Sequence, residues 1–155
     1  MTKFESPCAS RDWTTTSRNI LAILVGLASL PVFLSVGSLM SYSWGVPAPP
    51  AVGPFDNPVA WDSYLNNLTM MELMSSLLVN LVSLFLSSLL ASLIYGTRGI
   101  QPGWILGGVG LVYALLNAWL IPGQPVWLIA LNMIAVFPVA LGISWSVLKV
   151  KNFLA

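Results

Sequence analysis

From Leu73 to Tyr95 the chain carries no charge, no proline and no glycine. A helix over that stretch rises about 34 Å at 1.5 Å per residue, enough to cross a hydrocarbon layer of about 30 Å. Its start is marked by the T-x-x-E spacing of Thr69 and Glu72, a capping box in which each side chain satisfies an orphan amide. Leu68 and Leu73 fall at the positions of the matching hydrophobic staple. Inside the stretch, Ser76, Asn80, Ser83, Ser87 and Ala91 recur every three or four residues and so share one helical face. The leucines, Leu84 among them, are left for lipid. The expectation is a transmembrane helix over 70–95 with a small-residue packing face.

The whole chain belongs to the same class. Of its 155 residues 57% are hydrophobic and 7% charged, and the mean hydropathy is +0.84. A water-soluble domain carries about 25% charged residues, so that class is excluded. The net charge of +1 says nothing about nucleic acid and no basic patch points to it, so no nucleic-acid partner is expected. There is no histidine, the usual ligand of metals and haem and the usual catalytic base. The expectation is therefore no metal site, no catalytic residue and no enzyme. Lipid, carotenoid or a pigment held without histidine are the cofactor contacts such a composition allows. The single cysteine, Cys8, lies in a polar segment without a lipobox, and MTKFESPCASRDW lacks the apolar core of a removable signal peptide.

Four spans are expected. Residues 1–18 read as a polar tail on the inside, followed by one four-helix domain over 19–155. The first span covers about 19–44, with Thr16 or Ser17 available as its cap and Pro31 predicting a kink. An outer loop over 45–69 starts with the proline-rich run GVPAPPAVGP, which favours extended backbone. Asp56 or Asn57 then caps a short helix opening at Pro58, on which Trp61, Tyr64, Leu65 and Leu68 share a face opposite Asp62, Asn66 and Asn67. That pattern describes an amphipathic helix in the membrane interface.

After the second span at 70–95, a turn holds Arg98, and Gly99 to Leu148 is free of charge. Pro122-Gly123-Gln124-Pro125 divides this run into spans at about 104–121 and 126–148. Gly103, Gly107, Gly110 and Ala114 line one face of the third, a spacing that lets helix backbones approach closely. On the fourth, Asn132, Ala135, Gly142 and Ser146 form a looser small face, and Pro138 predicts a second kink.

With both termini inside, Lys3, Arg11, Arg18, Arg98, Lys149 and Lys151 all fall on one side. The other side holds Asp56, Asp62 and Glu72 and no cation, a strong positive-inside distribution. Tyr42, Trp44, Trp61, Trp119 and Trp127 belt the outer boundary, and Trp104 and Trp145 the inner one.

The last three spans each carry one asparagine: Asn80, Asn117 and Asn132. They lie about 14, 6 and 9 Å from the outer ends of their helices, deep enough in one half to meet. They serve either as interhelical hydrogen-bonding groups, worth roughly 0.6 to 2 kcal/mol each, or as the wall of a polar pocket.

The run LLVNLVSLFLSSLL, residues 77–90, resembles the second helix of the small fluoride channels, which also have four spans. The resemblance covers this run alone. The arginine-bearing first helix and the broken third helix of those channels have no counterpart, so no function is carried over.

Four helices of this length cannot both enclose a solvent path and hide all four small-residue stripes. The expectation is therefore a non-catalytic accessory or scaffold subunit, docked on other integral membrane subunits of a respiratory or photosynthetic assembly. Two further classes remain: a small oligomeric channel or transporter using the asparagine region, and a lipid- or pigment-binding membrane protein. A bacterial inner membrane or a thylakoid is the expected location.

Overall fold

The computed structural model describes residues 13–96, 99–121 and 123–154. Lys3, Cys8, Arg11, Arg98 and Pro122 lie outside them. Five helices follow in order: α1 (Trp13–Ser43), α2 (Pro58–Asn67), α3 (Met70–Ile94), α4 (Gln101–Leu120) and α5 (Val126–Phe153). Strands are absent among the described residues. All but the ten-residue α2 are long and apolar enough to cross a membrane.

The four long helices run up, down, up and down. Their directions are fixed by contacts at the end holding the start of α1 and the end of α5, here the terminal end. Arg18 Nε donates to the Ile94 carbonyl at 2.7 Å. Lys151 Nζ donates to the carbonyls of Ser92 and Tyr95 at 2.7 and 2.8 Å. The Gly96 amide donates to Asn19 Oδ1 at 2.8 Å. Cations from α1 and α5 thus satisfy the free carbonyls where α3 ends, at the negative pole of its dipole.

Those contacts also explain where helices outrun the sequence reading. Nothing in Trp13–Arg18 breaks a helix, and Arg18 and Asn19 tie this turn to α3, so α1 starts at Trp13 with Thr16 and Ser17 inside it. Lys151 holds the last turns of α5 as far as Phe153. Helix α4 starts at Gln101, ahead of the expected 104, with Pro102 in its first turn, where the missing amide costs no helical bond. Both α1 and α5 continue unbroken through Pro31 and Pro138.

Helix α3 is central and packs against α1, α4 and α5. Its buried arc is therefore wider than one stripe. Ser83, Ser87 and Ala91 are buried, and so are Leu84, Ser88 and Ser92. A Cβ on Gly26 of α1 would stand 2.8 Å from Ala91 Cβ and 3.4 Å from the Ser87 carbonyl, so α1 covers the first set. Leu84, expected against lipid, is 2% exposed and joins Leu30, Ala91, Leu106, Val136 and Ala140 in the core. Lipid is excluded from that side because α4 and α5 occupy it.

The third-span glycine face is covered as well. A Cβ on Gly103 would lie 2.7 Å from the Ala140 carbonyl, one on Gly107 3.1 Å from Phe137, and one on Gly110 2.9 Å from Val136. Gly103, Gly107, Gly110 and Ala114 are all buried. On α5 the packed face is Leu128, Val136, Ala140, Ser144 and Val147. Gly142 and Ser146, two members of the expected face, point away. Ser83, Ser87 and Ala91 of the α3 stripe and the whole α4 stripe are therefore packed within the chain, while Ser76 is exposed.

Candidate functional site

At the end opposite the termini the bundle opens. Asn57 Oδ1 accepts from the Ala60 amide at 3.0 Å and Pro58 starts α2, so this helix begins at its cap. Leu65 is buried, while Asp62, Asn66 and Asn67 are exposed. Trp61 Nε1 donates to the Val52 carbonyl at 2.8 Å, and the Tyr64 hydroxyl to the Pro47 carbonyl at 3.0 Å. Those bonds fix the proline-rich loop to α2. The Phe55 ring meets Trp119 of α4 edge-on at 5.9 Å, and a Cβ on Gly123 would meet Asp62 and Leu65. Gly123 itself has φ +81°, the left-handed conformation that the turn before α5 requires. The α2 segment therefore spans from the loop after α1 to the α4–α5 turn, like a roof.

Beneath this roof lies a cavity of about 310 Å³. Its wall includes Leu34, Ser38 and Tyr42 of α1, Trp61 and Tyr64 of α2, Glu72 to Asn80 along α3, Tyr113 and Asn117 of α4, and Leu128 and Asn132 of α5. Asn80, Asn117 and Asn132 thus reach one space from three helices, with Ser76 and Ala114 beside them. Ser83, Ser87, Gly103, Gly107 and Gly110 lie in the packed layer below and do not line it.

Among the described residues the three asparagine side chains make no hydrogen bond with the protein. Asn132 Oδ1 and Ser75 Oγ, both on the cavity wall, are buried without a partner. Such a group costs roughly 1–3 kcal/mol when nothing meets it. The Ser87 and Ser88 hydroxyls are also without partners, but they lie among the close-packed helices. Lower still, the Ser92 and Ser144 hydroxyls share a buried hydrogen bond of 2.8 Å between α3 and α5.

The capping box is present in full. Glu72 Oε2 accepts from the Thr69 amide at 2.6 Å and from its hydroxyl at 2.8 Å, and Thr69 Oγ1 accepts from the Glu72 amide at 3.3 Å. Glu72 is the one charged side chain of the wall among the described residues. Burial pushes the Tyr64 hydroxyl up from its ordinary pKa, and the nearby charges of Tyr42 and Glu72 add to that.

Ser38, Ser41, Ser75 and Tyr113 also line it and were not singled out from the sequence, whereas Tyr42, Tyr64 and Gln124 were read there only as belt, interfacial-helix and turn residues. A signal existed for α1, where Leu34, Ser38, Ser41 and Tyr42 recur at helical spacing near its outer end. No family model, curated protein or solved structure matches the chain.

Proposed function

We propose that the protein is a multi-pass integral membrane protein that binds a small ligand in this cavity, without catalysis. Both termini lie inside, in a bacterial inner membrane or a thylakoid, and the α2 end faces out. Insertion is supported by large apolar side chains exposed around the long helices, such as Ile134 at 71% and Met71 at 83%. Water would not tolerate that much apolar surface. Orientation is supported by Arg18, Lys149 and Lys151 at one end and Asp56, Asp62 and Glu72 at the other.

The observation that carries the ligand reading is the unpaired asparagine cluster. Groups that serve as interhelical glue bond to one another, whereas these three face a common space with their hydrogen-bonding capacity unused. A channel through the single chain is disfavoured by the layer of Leu30, Leu84, Leu106, Val136 and Ala140 beneath the cavity. Catalysis is disfavoured because the chain has no histidine and the one acid in the wall is engaged by Thr69.

One observation supports a second reading, an accessory subunit of a respiratory or photosynthetic assembly. Gly142 has open space around it and Ser146 is exposed on the outer side of α5, a small and polar patch suited to another helix. Native mass spectrometry of the protein extracted from its own membrane separates the two. A retained small molecule, lost in Asn80→Leu while the protein stays folded, supports the ligand reading. Empty protein that co-purifies with large membrane subunits, and loses them in Gly142→Leu, supports the accessory reading and ends the first.

A further inference from the structure

The cavity wall has a definite electrostatic character. Two helices begin at it, α3 and α5, and two end at it, α1 and α4, so their dipoles oppose one another. Formal charges then decide the sign. Lysine and arginine are absent from the entire stretch between Arg18 and Arg98 and again from Arg98 to Lys149. Every carboxylate of that stretch, Asp56, Asp62 and Glu72, lies at the cavity end, and Glu72 is in the wall itself. Both Thr69 bonds fall on Oε2, which leaves Oε1 of Glu72 without a protein partner among the described residues.

The same wall is aromatic. Trp61 and Tyr64 stand edge to face at 5.9 Å, and their polar edges are tied to the loop carbonyls. Tyr42 and Tyr113 line the cavity from α1 and α4. Aromatic faces attract cations whose charge is spread over alkyl groups, and they do so most where water is scarce. An anion finds no counter-charge here. A bare metal ion is far too small for about 310 Å³ and for a wall with one carboxylate.

We propose that the cavity takes a small organic cation, a quaternary or heavily alkylated ammonium, with its charge between Glu72 and the aromatic groups and its polar substituent on the asparagines. This rests on the ligand-binding reading above and names the class of ligand. A quaternary ammonium carries no N–H to donate, so it needs no acceptor of its own. A hydroxyl on the same molecule would donate to Asn132 Oδ1, and its oxygen would accept from the side-chain amides of Asn80 and Asn117, whose bonding capacity is otherwise unused.

The test uses the full chain in nanodiscs and three probes of one shape: choline, its uncharged carbon isostere 3,3-dimethylbutanol, and the anion 3,3-dimethylbutanoate. Calorimetric titration should show choline binding about tenfold more tightly than the isostere, with the anion weakest. In Glu72→Gln, which keeps a capping-box acceptor, the preference for choline should shrink to about threefold. Tyr64→Leu should weaken choline about tenfold, and Tyr64→Phe, which keeps the ring, should change it less than about threefold. Equal binding of choline and the isostere by the wild type overturns the cation and leaves the cavity as a site for neutral ligands. If no probe binds, the cation proposal is wrong. The ligand reading falls with it only where native mass spectrometry also finds the extracted protein empty.

Discussion

Between Ser83 and Ser92, α3 packs with Leu106 of α4, bonds Ser144 of α5, and approaches Gly26 of α1 so closely that an added methyl there would meet Ala91 at 2.8 Å. Between Glu72 and Asn80, the same helix faces a cavity of about 310 Å³. The two stretches have similar composition, with leucine and serine dominating both. Their neighbours differ. The lower stretch faces Gly26 of α1 and Gly110 of α4, small residues that bring the backbones together, and shares the core with Ala140 of α5. The upper one faces Tyr42, Tyr113 and Asn117, and a proline-rich loop pinned to α2 props the roof. In lipid, where burial of apolar surface does not drive helices together, local side-chain size decides whether helices close up or stand apart.

The largest effect that tests this contrast is truncation in the packed layer. Leu106 is fully buried against Leu84 and Ala140, so Leu106→Ala should lower stability by about 2–3 kcal/mol. That is the low part of the core range, because the transfer component is small when the alternative is lipid. Leu77, half-buried beside the cavity, already borders empty space. Its change to alanine should cost less than about 1 kcal/mol. Reversible unfolding in mixed micelles reads both, and equal losses would mean that the two ends pack alike.

Next in size is the close approach of α4 to α5. In Gly103→Ala the new methyl meets a backbone carbonyl, that of Ala140, which cannot rotate away, so about 1–2 kcal/mol should be lost. Gly108→Ala adds the same methyl to open space one turn on and should be neutral or stabilising by up to about 1 kcal/mol. A smaller effect is expected at the buried serine pair. Ser144→Ala should cost about 1 kcal/mol, because it leaves the Ser92 hydroxyl without its partner. Changing both serines to alanine should cost less than the two single changes together. Additive losses would show that the pair is not a coupled hydrogen bond.

These positions also show how far the sequence could be read. The capping box at Thr69 and Glu72, the cap at Asn57 and the sidedness of α2 depend on residues within one turn of each other, so spacing alone carries them. The common depth of Asn80, Asn117 and Asn132 follows from counting residues from the helix ends. What covers a face depends on tertiary order, and periodicity does not encode it. Placing α3 at the centre gives it two buried faces, which is why Leu84 lies inside and why Ser83 and Ser87 are covered within the chain. On α5 the steps of four through Val136, Ala140 and Ser144 select the packed face, whereas residue size alone pointed to Gly142 and Ser146. Gly26 was legible as the second member of Ala22-xxx-Gly26, and only the α1–α3 crossing gives that spacing its meaning.

The smallest expected effect on stability is also the one most informative about the cavity. Asn132 makes no hydrogen bond to the protein, and its Oδ1 is buried with nothing to meet. Asn132→Leu therefore removes an unsatisfied group rather than a bond, and leucine occupies a similar volume. The ligand-free protein should lose no stability and should gain up to about 1 kcal/mol. Asn80→Leu should likewise stay within about 0.5 kcal/mol of the wild type, since no bond is broken. Had the asparagines joined the helices, each change would lower stability by about 0.6 to 2 kcal/mol. Ligand binding should respond in the opposite way, weakening in both variants because the cavity loses its polar groups. A loss of stability in the empty protein, with binding unchanged, would mean that these residues hold the bundle together at this end as the glycines do at the other.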